Sequence, residues 1–113
     1  MSGAQPRRRE IEARATIFAA LGDETRLSLV AKLAGGEPLS ISELAKGSSL
    51  TRQAITKHLR VLQGAKLVAN VRSGRESLFA LKPDPLRGAR SYLERVSSQW
   101  DDALARLKSF VES

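Results

Sequence analysis

The amino-acid sequence predicts a mostly helical fold with one small β-hairpin, comprising about five helices and a two-stranded wing. Two observations carry this prediction. Apolar residues recur at the three-to-four-residue spacing of a helix through most of the chain, and between about residues 67 and 81 the spacing falls to nearly two, as in strands. With 113 residues and 42% hydrophobic composition, the chain can bury one modest core, so we expect a single domain.

The N-terminal segment 1–9 is expected to be a flexible basic arm. It shows no apolar periodicity and ends in three arginines, Arg7 to Arg9. The folded domain would then span residues 10–113. Its first helix ends at Gly22 as a C-terminal cap, and its apolar stripe consists of Ile11, Ala15, Phe18 and Leu21.

A second helix is predicted directly after the first. Asp23 is a good N-cap residue, and the pair Gly35-Gly36 followed by Pro38 ends the helical pattern. The apolar stripe expected to face the core consists of Leu27, Val30, Ala31 and Ala34.

The next segment predicts two short helices joined by a tight turn. Ser40 and Glu43 fit a capping box at the start of the first helix, and the turn lies at residues 47–49. Thr51 can cap the following helix, which runs to about Gln63 and carries Ile55, Leu59 and Leu62 on its inner side. This order of elements is a helix-turn-helix arrangement.

A hairpin and a long helix complete the predicted fold. The first strand starts near Leu67, the turn lies at residues 73–76, and the return strand runs over residues 77–81. Pro83 and Pro85 interrupt the chain, and the last helix is expected from about Leu86.

The helix of residues 51–63 carries the strongest functional signal. Its outer face is composed of hydrogen-bond donors, and no acidic residue occurs between Leu44 and Val71. Such a face suits the major groove of DNA, and the two arginines of the hairpin suit the phosphate backbone; the alternative is a solvated charged face. The residues expected to bind double-stranded DNA are Thr51, Arg52, Gln53, Thr56, Lys57, Arg60, Arg72 and Arg75.

The charge balance agrees with a polyanionic partner. Nineteen Lys and Arg against twelve Asp and Glu give a net charge of +7, which favours nucleic acid through phosphate neutralisation. The alternative is a basic surface that only keeps the protein soluble, on a module that binds other proteins through its last helix.

Catalysis, metal binding and cofactors are not indicated. The chain has no cysteine, no glycine-rich phosphate loop and no nucleophile elbow, and its one histidine, His58, lies beside the apolar stripe. We therefore expect no enzyme, no cofactor and no metal site. No apolar run is long enough for a membrane span or a secretory signal, so a cytoplasmic protein is expected.

The last helix predicts a homodimer. Its apolar residues alternate at spacings of three and four, which is typical of a helix that packs against another helix. Trp100 could instead line an effector pocket, although packing is the commoner role of such an aromatic residue. The residues expected at the dimer interface are Ile11, Phe18, Leu93, Val96, Trp100, Leu104, Leu107 and Phe110.

These motifs together resemble the ArsR family of bacterial winged helix-turn-helix repressors, over nearly the whole chain. The family opens its second helix with Leu-Gly-Asp-x-Thr-Arg-Leu, which residues 21–27 match. Its recognition-helix pattern, which ends in His-Leu-x-x-Leu, is matched by residues 56–62 and followed by Leu67-Val68. The Gly-Arg of its wing is matched by Gly74-Arg75.

The resemblance implies a homodimer joined through the first and last helices, which binds an inverted repeat and represses transcription. His58 would then be a scaffold residue. Metal-sensing members carry cysteine pairs in the third helix or carboxylate and histidine ligands in the last, whereas this chain has Ser42 to Lys46 at the former position and no cysteine. The resemblance is therefore to the branch without metal sites, and it identifies no effector.

Overall fold

The computed structural model describes residues 4–112. Its helices are α1 (Ala4–Leu21), α2 (Glu24–Leu33), α3 (Ile41–Ala45), α4 (Arg52–Gly64) and α5 (Pro83–Glu112), and its strands are β1 (Leu39–Ser40), β2 (Val68–Ser73) and β3 (Glu76–Leu81). The predicted class, mostly helical with a small antiparallel wing, is confirmed. In the described part of the chain, no helix is both long and apolar enough to cross a membrane.

Helix α1 begins earlier than the sequence predicts. It starts at Ala4 instead of Glu10, so residues 4–9, which were expected in a flexible arm, are helical, while residues 1–3 lie outside the described part. Pro6 is tolerated because a proline in the first turn lacks only an N–H that has no partner within the helix. Arginine is a good helix former, so its three copies do not stop the helix.

The prediction of which residues of α2 are buried is wrong. Leu29 and Leu33 are the buried residues, whereas Leu27 is 53% exposed and Ala31 is also exposed. Two overlapping stripes on this helix satisfy the same periodicity, and half-buried Val30 lies at the border between them. The positions of α4 and β3, both of which contact α2, decide which stripe faces inward.

The caps predicted in the helix-turn-helix are present. The Ser40 hydroxyl accepts a hydrogen bond from the Glu43 amide at 3.1 Å, and the Glu43 carboxylate accepts one from the Ser40 amide at 3.0 Å. The pKa of the Glu43 carboxyl is lowered, with the hydrogen bond from the Ser40 amide as the largest cause and the Ser40 hydroxyl as the next. Thr51 caps α4 by accepting from the Ala54 amide at 3.1 Å.

A lysine in the left-handed conformation follows the end of helix α4. Lys66 has φ 62°, its amide donates to the carbonyl of Gln63, and the amide of Leu67 donates to the carbonyl of Leu62. This pair of bonds is the Schellman motif, in which glycine usually occupies the position of Lys66. Leu62 and Leu67 are both fully buried, so the motif directs the chain from α4 into β2.

The wing is a three-stranded sheet with the order β1-β3-β2. The short strand β1 escaped prediction because its two residues are too few to show a period. It pairs Leu39 with Phe79, while β2 and β3 form the predicted hairpin and close it with the pair Ser73–Glu76. Gly74 in this turn has φ 63°, a conformation that glycine adopts without strain.

Helix α5 also starts earlier than predicted, at Pro83 instead of Leu86. Both prolines lie in its first turn, where a missing N–H costs nothing, and Asp84 there interacts favourably with the positive end of the helix. With 30 residues at about 1.5 Å each, the helix is roughly 45 Å long.

One hydrophobic core joins α1, α2, α3, α4, the sheet and the start of α5. Its most deeply buried large side chains are Leu33, Leu44, Ile55, Leu59, Leu62 and Leu67.

Candidate nucleic-acid interface

Helix α4 is held against the core by one face, which turns the opposite face outward. Ile55, Leu59 and Leu62 are each at most 1% exposed, as the sequence predicts. Because a helix advances about 100° per residue, Gln53, Lys57 and the residues near them must then lie on the solvent side.

The outward face of α4 forms one wall of a groove of about 370 Å³. Five of the eight residues predicted to bind DNA are brought together there, and they are joined by Ile41 of α3. The lining residues are Ile41, Arg52, Gln53, Thr56, Lys57 and Arg60. Ile41 is half-buried, and no local pattern separates a residue at such a border from one that is fully inside.

The remaining three predicted residues lie outside this groove. Thr51 is exposed at the start of α4, where its hydroxyl oxygen already caps the helix. Arg72 and Arg75 are exposed on the β2–β3 hairpin. The site therefore has two parts, a groove along α4 and a basic hairpin.

The hydroxyl of Thr56 is engaged within its own helix. Its Oγ1 donates to the carbonyl of Arg52 at 2.8 Å, one turn earlier. This bond uses the only proton that the side chain can donate. The expectation that Thr56 donates a hydrogen bond to a base edge is therefore not supported by this rotamer.

The cationic side chains of the site are available to contact phosphates. Within residues 4–112, none of Arg52, Lys57, Arg60, Arg72 and Arg75 forms an ion pair with a carboxylate. The arginines that do form ion pairs lie on α5, where Arg87 pairs with Asp84, Arg90 with Glu94 and Arg95 with Glu10. Unpaired surface cations are the groups that neutralise a DNA backbone.

A polar junction positions α4 against α1 and α2. Arg26 donates from Nε to the carbonyl of Ala20 at 2.6 Å and from Nη2 to that of Ala19 at 3.4 Å, at the end of α1. Its Nη1 lies 3.4 Å from Nδ1 of His58 on α4, which is 3.8 Å from Oδ2 of Asp23. His58 thus lies in the scaffold, as the sequence resemblance implied.

Asp23 is the N-cap of α2 and accepts from the Arg26 amide at 3.0 Å. This bond is the largest cause of a lowered pKa of the Asp23 carboxyl, and burial opposes the shift in part. The run at residues 21–27 is explained by these contacts, because it supplies the cap and the guanidinium that join three helices.

Helices α1 and α5 pack against each other within the chain. The rings of Phe18 and Tyr92 lie 6.2 Å apart between centroids, and the guanidinium of Arg95 lies 5.8 Å from the Tyr92 ring centre. Arg95 also forms an ion pair with Glu10. Of the residues predicted at a dimer interface, Phe18 and Val96 are half-buried in the single chain.

The other predicted interface residues are exposed. The line of α5 that is buried at Ala89 continues into apolar residues that are more than half exposed. They are Leu93, Trp100, Leu104 and Leu107, whose exposed fractions are 51%, 65%, 56% and 60%. Phe110 is 80% exposed, and Ile11 of α1 is 50% exposed. An apolar groove of about 600 Å³, lined by Phe18, Leu21, Leu86, Ala89 and Leu93 with a polar rim, lies at the start of this line.

Metal ligands do not cluster in the part of the chain that the structure describes. No group of three or more His, Cys, Asp or Glu side chains there is placed to hold an ion.

Comparison with known proteins gives consistent matches. A model of a helix-turn-helix domain matches residues 21–71. The chain is 36% identical over 94 residues to the HTH-type transcriptional regulator Rv2034 of Mycobacterium tuberculosis. The aligned region covers 83% of this chain and 84% of that protein. The chain is 29% identical to the HTH-type transcriptional repressor SmtB of the same organism, over 89% of this chain and 73% of the repressor.

A solved structure agrees with these relatives. The ArsR-like transcriptional regulator from Rhodococcus sp. RHA1 superimposes with a TM-score of 0.76 at 39% sequence identity, covering 88% of this chain and 93% of that one. These names describe transcription regulators and not enzymes.

Proposed function

Because this chain belongs to the ArsR family of winged helix-turn-helix transcriptional regulators, we propose that it is a dimeric repressor that binds an inverted-repeat operator through α4 and the wing. The chain is a sequence-specific DNA-binding regulator by its family. The observation that carries the more detailed proposal is the outward donor face of α4, which three fully buried side chains hold in place.

In the proposed complex, α4 enters the major groove. Gln53 can form two hydrogen bonds with an adenine, and Arg52 or Arg60 can form two with a guanine. Lys57, Arg72 and Arg75 are exposed cations that would contact phosphates and set the register of the protein on the duplex.

The second part of the proposal is a homodimer joined through α1 and α5. The exposed line of Leu93, Trp100, Leu104 and Leu107 is too apolar and too continuous for an ordinary solvent-facing helix. A second copy supplies the matching surface, because a two-fold axis places the same line of α5 opposite itself. The groove beside Phe18 and Leu86 would be covered by the same partner.

The proposed dimer and the proposed inverted-repeat operator have the same two-fold symmetry. Two copies of α4 related by a two-fold axis, about one DNA turn or roughly 34 Å apart, would bind the two halves of an inverted repeat. Repression is supported by the repressor to which the chain is similar, since a protein bound across a promoter excludes polymerase. We place this action in the cytoplasm, and no effector is part of the proposal.

Selection from a randomised duplex pool by the full-length protein tests the proposed function. The enriched duplex and a scrambled version would be compared by fluorescence anisotropy at about 50 and 200 mM salt. We expect an enriched inverted repeat and a preference of about a thousandfold or more at the higher salt. Equal and steeply salt-dependent binding to both duplexes would instead leave only a basic surface and would refute the proposal.

A further inference from the structure

The groove along α4 contains an apolar point among its charged residues. Ile41 of α3 and Thr56 of α4 line the same groove, and both are half-buried. Every other residue of that lining is a long polar or charged side chain, namely Arg52, Gln53, Lys57 and Arg60. A base contacting this point therefore meets a small apolar surface rather than a donor.

The orientation of Thr56 strengthens this contrast. Its hydroxyl is directed back at the Arg52 carbonyl, 2.8 Å away, and the tetrahedral geometry of Cβ then directs the methyl group away from that carbonyl. The bond repeats the common pairing of a helical threonine with the carbonyl one turn earlier. The methyl group is the part of Thr56 that remains available for an apolar contact.

We infer that Thr56 recognises a thymine, through contact between its methyl group and the C5-methyl group of the base, with Ile41 completing the apolar surface. In the major groove, thymine is the one base that presents a methyl group, and a threonine methyl is a suitable partner for it. This inference rests on the proposed function, and it assigns one base of each half-site to one side chain.

Each thymine of the selected duplex would be replaced in turn by deoxyuridine, which lacks only the C5-methyl group. Removing one buried methyl group corresponds to about a fourfold loss of affinity, and to about fifteenfold when the symmetry-related thymines of both half-sites are replaced. We expect this loss at one position of each half-site, measured by fluorescence anisotropy. No loss at any position would overturn the inference.

Two variants assign the effect to Thr56. Thr56→Ser keeps the hydroxyl and its bond to Arg52 but removes the methyl group, so its preference for the thymine duplex over the deoxyuridine duplex should fall well below that of the wild type, with Ile41 alone supplying what remains. Thr56→Val keeps a methyl group and removes the hydroxyl, so it should retain the wild-type preference. A Thr56→Ser protein with the full wild-type preference for thymine, or a Thr56→Val protein that has lost the preference, would overturn the inference.

The deoxyuridine and scrambled duplexes distinguish a failure of this inference from a failure of the proposed function. If the wild-type protein prefers the selected duplex over the scrambled one but ignores deoxyuridine, the operator proposal stands and the role of Thr56 is refuted. If the wild-type protein does not distinguish the selected duplex from the scrambled one, both are refuted together. Circular dichroism of each variant checks that the fold is retained.

Discussion

Nη1 of Arg26 lies 3.4 Å from Nδ1 of His58, although 32 positions separate the two residues in the sequence. The contact joins the start of α2 to the middle of α4. Since Arg26 also donates to the carbonyls of Ala20 and Ala19, one guanidinium connects three helices. The orientation of α4 therefore depends on this polar junction as well as on the packing of its apolar side chains in the core.

Replacing Arg26 by alanine should destabilise the protein. It removes the donor to the Ala20 carbonyl and the contact with His58, and we expect the free energy of unfolding to fall by about 1.5–3 kcal/mol. Urea denaturation measures this change. Arg87→Ala is the matched control, because Arg87 is exposed and, among the described residues, pairs with Asp84 three positions earlier. Its effect should stay within about 0.5 kcal/mol. Equal losses in the two variants would contradict the role of the junction.

The Asp23 carboxylate should make stability depend on acidic pH. Its pKa is lower in the folded state because the Arg26 amide binds the ionised form, so its contribution is complete above the ordinary value near 3.8 and is lost as the pH falls through the folded value. Asp23→Asn retains an acceptor but no charge, so its deficit relative to the wild type should shrink at acidic pH. Urea midpoints between about pH 2 and 7 test this, with Asp101→Asn on exposed α5 as the control; a deficit independent of pH would contradict the assignment.

Lys66→Gly should stabilise the protein. Lys66 has φ 62°, a conformation that costs about 1–2 kcal/mol for a residue with a side chain, and the greater flexibility of glycine in the unfolded chain offsets part of the gain. We expect a net increase of about 0.5–1 kcal/mol in the free energy of unfolding, measured with urea. Lys82→Gly is the control, since Lys82 lies outside the left-handed region, and it should give no gain. Stabilisation by both substitutions would show that conformation is not the cause.

Leu107→Asp should separate the proposed dimer. Leu107 lies on the exposed apolar line of α5, and a carboxylate there would be buried without a partner against the second copy. Light scattering after size exclusion would then report a monomer at micromolar concentration. Ser109→Asp adds the same charge about 200° around the same helix and should remain dimeric. A dimeric Leu107→Asp protein would place the interface elsewhere.

Gln53→Ala and Arg75→Ala should affect DNA binding in different ways. Loss of a base contact by Gln53 should reduce the preference for the selected duplex by about 1–3 kcal/mol per half-site and leave binding to the scrambled duplex nearly unchanged. Loss of a phosphate contact by Arg75 should weaken binding to both duplexes and reduce the salt slope by about one per half-site, which is about two for the dimer. Anisotropy titrations at several salt concentrations distinguish the two patterns, and an unchanged preference in Gln53→Ala would refute its assignment to a base.

Several features of the site could be predicted because their causes are local. The caps at Ser40 and Thr51 depend on side chains within three residues of the amide that they bind. The inner stripe of α4 could be identified because only one face of that helix is apolar. The outward donor face then follows from helix geometry.

Other features depended on distant parts of the chain. The groove wall at Ile41 arises where α3 meets α4. The hydroxyl of Thr56 is a local exception: it had two chemically suitable partners, a base edge or the Arg52 carbonyl, and the sequence does not choose between them. The junction of Arg26 with His58 joins residues that no periodicity relates. Sequence patterns do not contain these distances.

The sequence by itself determined the order and type of the helices, the hairpin, the helix-turn-helix and the basic character of its outer face, because helical periodicity, capping and turn chemistry act over a few neighbouring residues. Only the tertiary structure decided which stripe of α2 faces the core, that β1 joins the wing, and that α5 continues past the body with Trp100 and Leu107 uncovered. Burial depends on what lies across from a side chain, and that neighbour is supplied by a remote segment or by a second molecule.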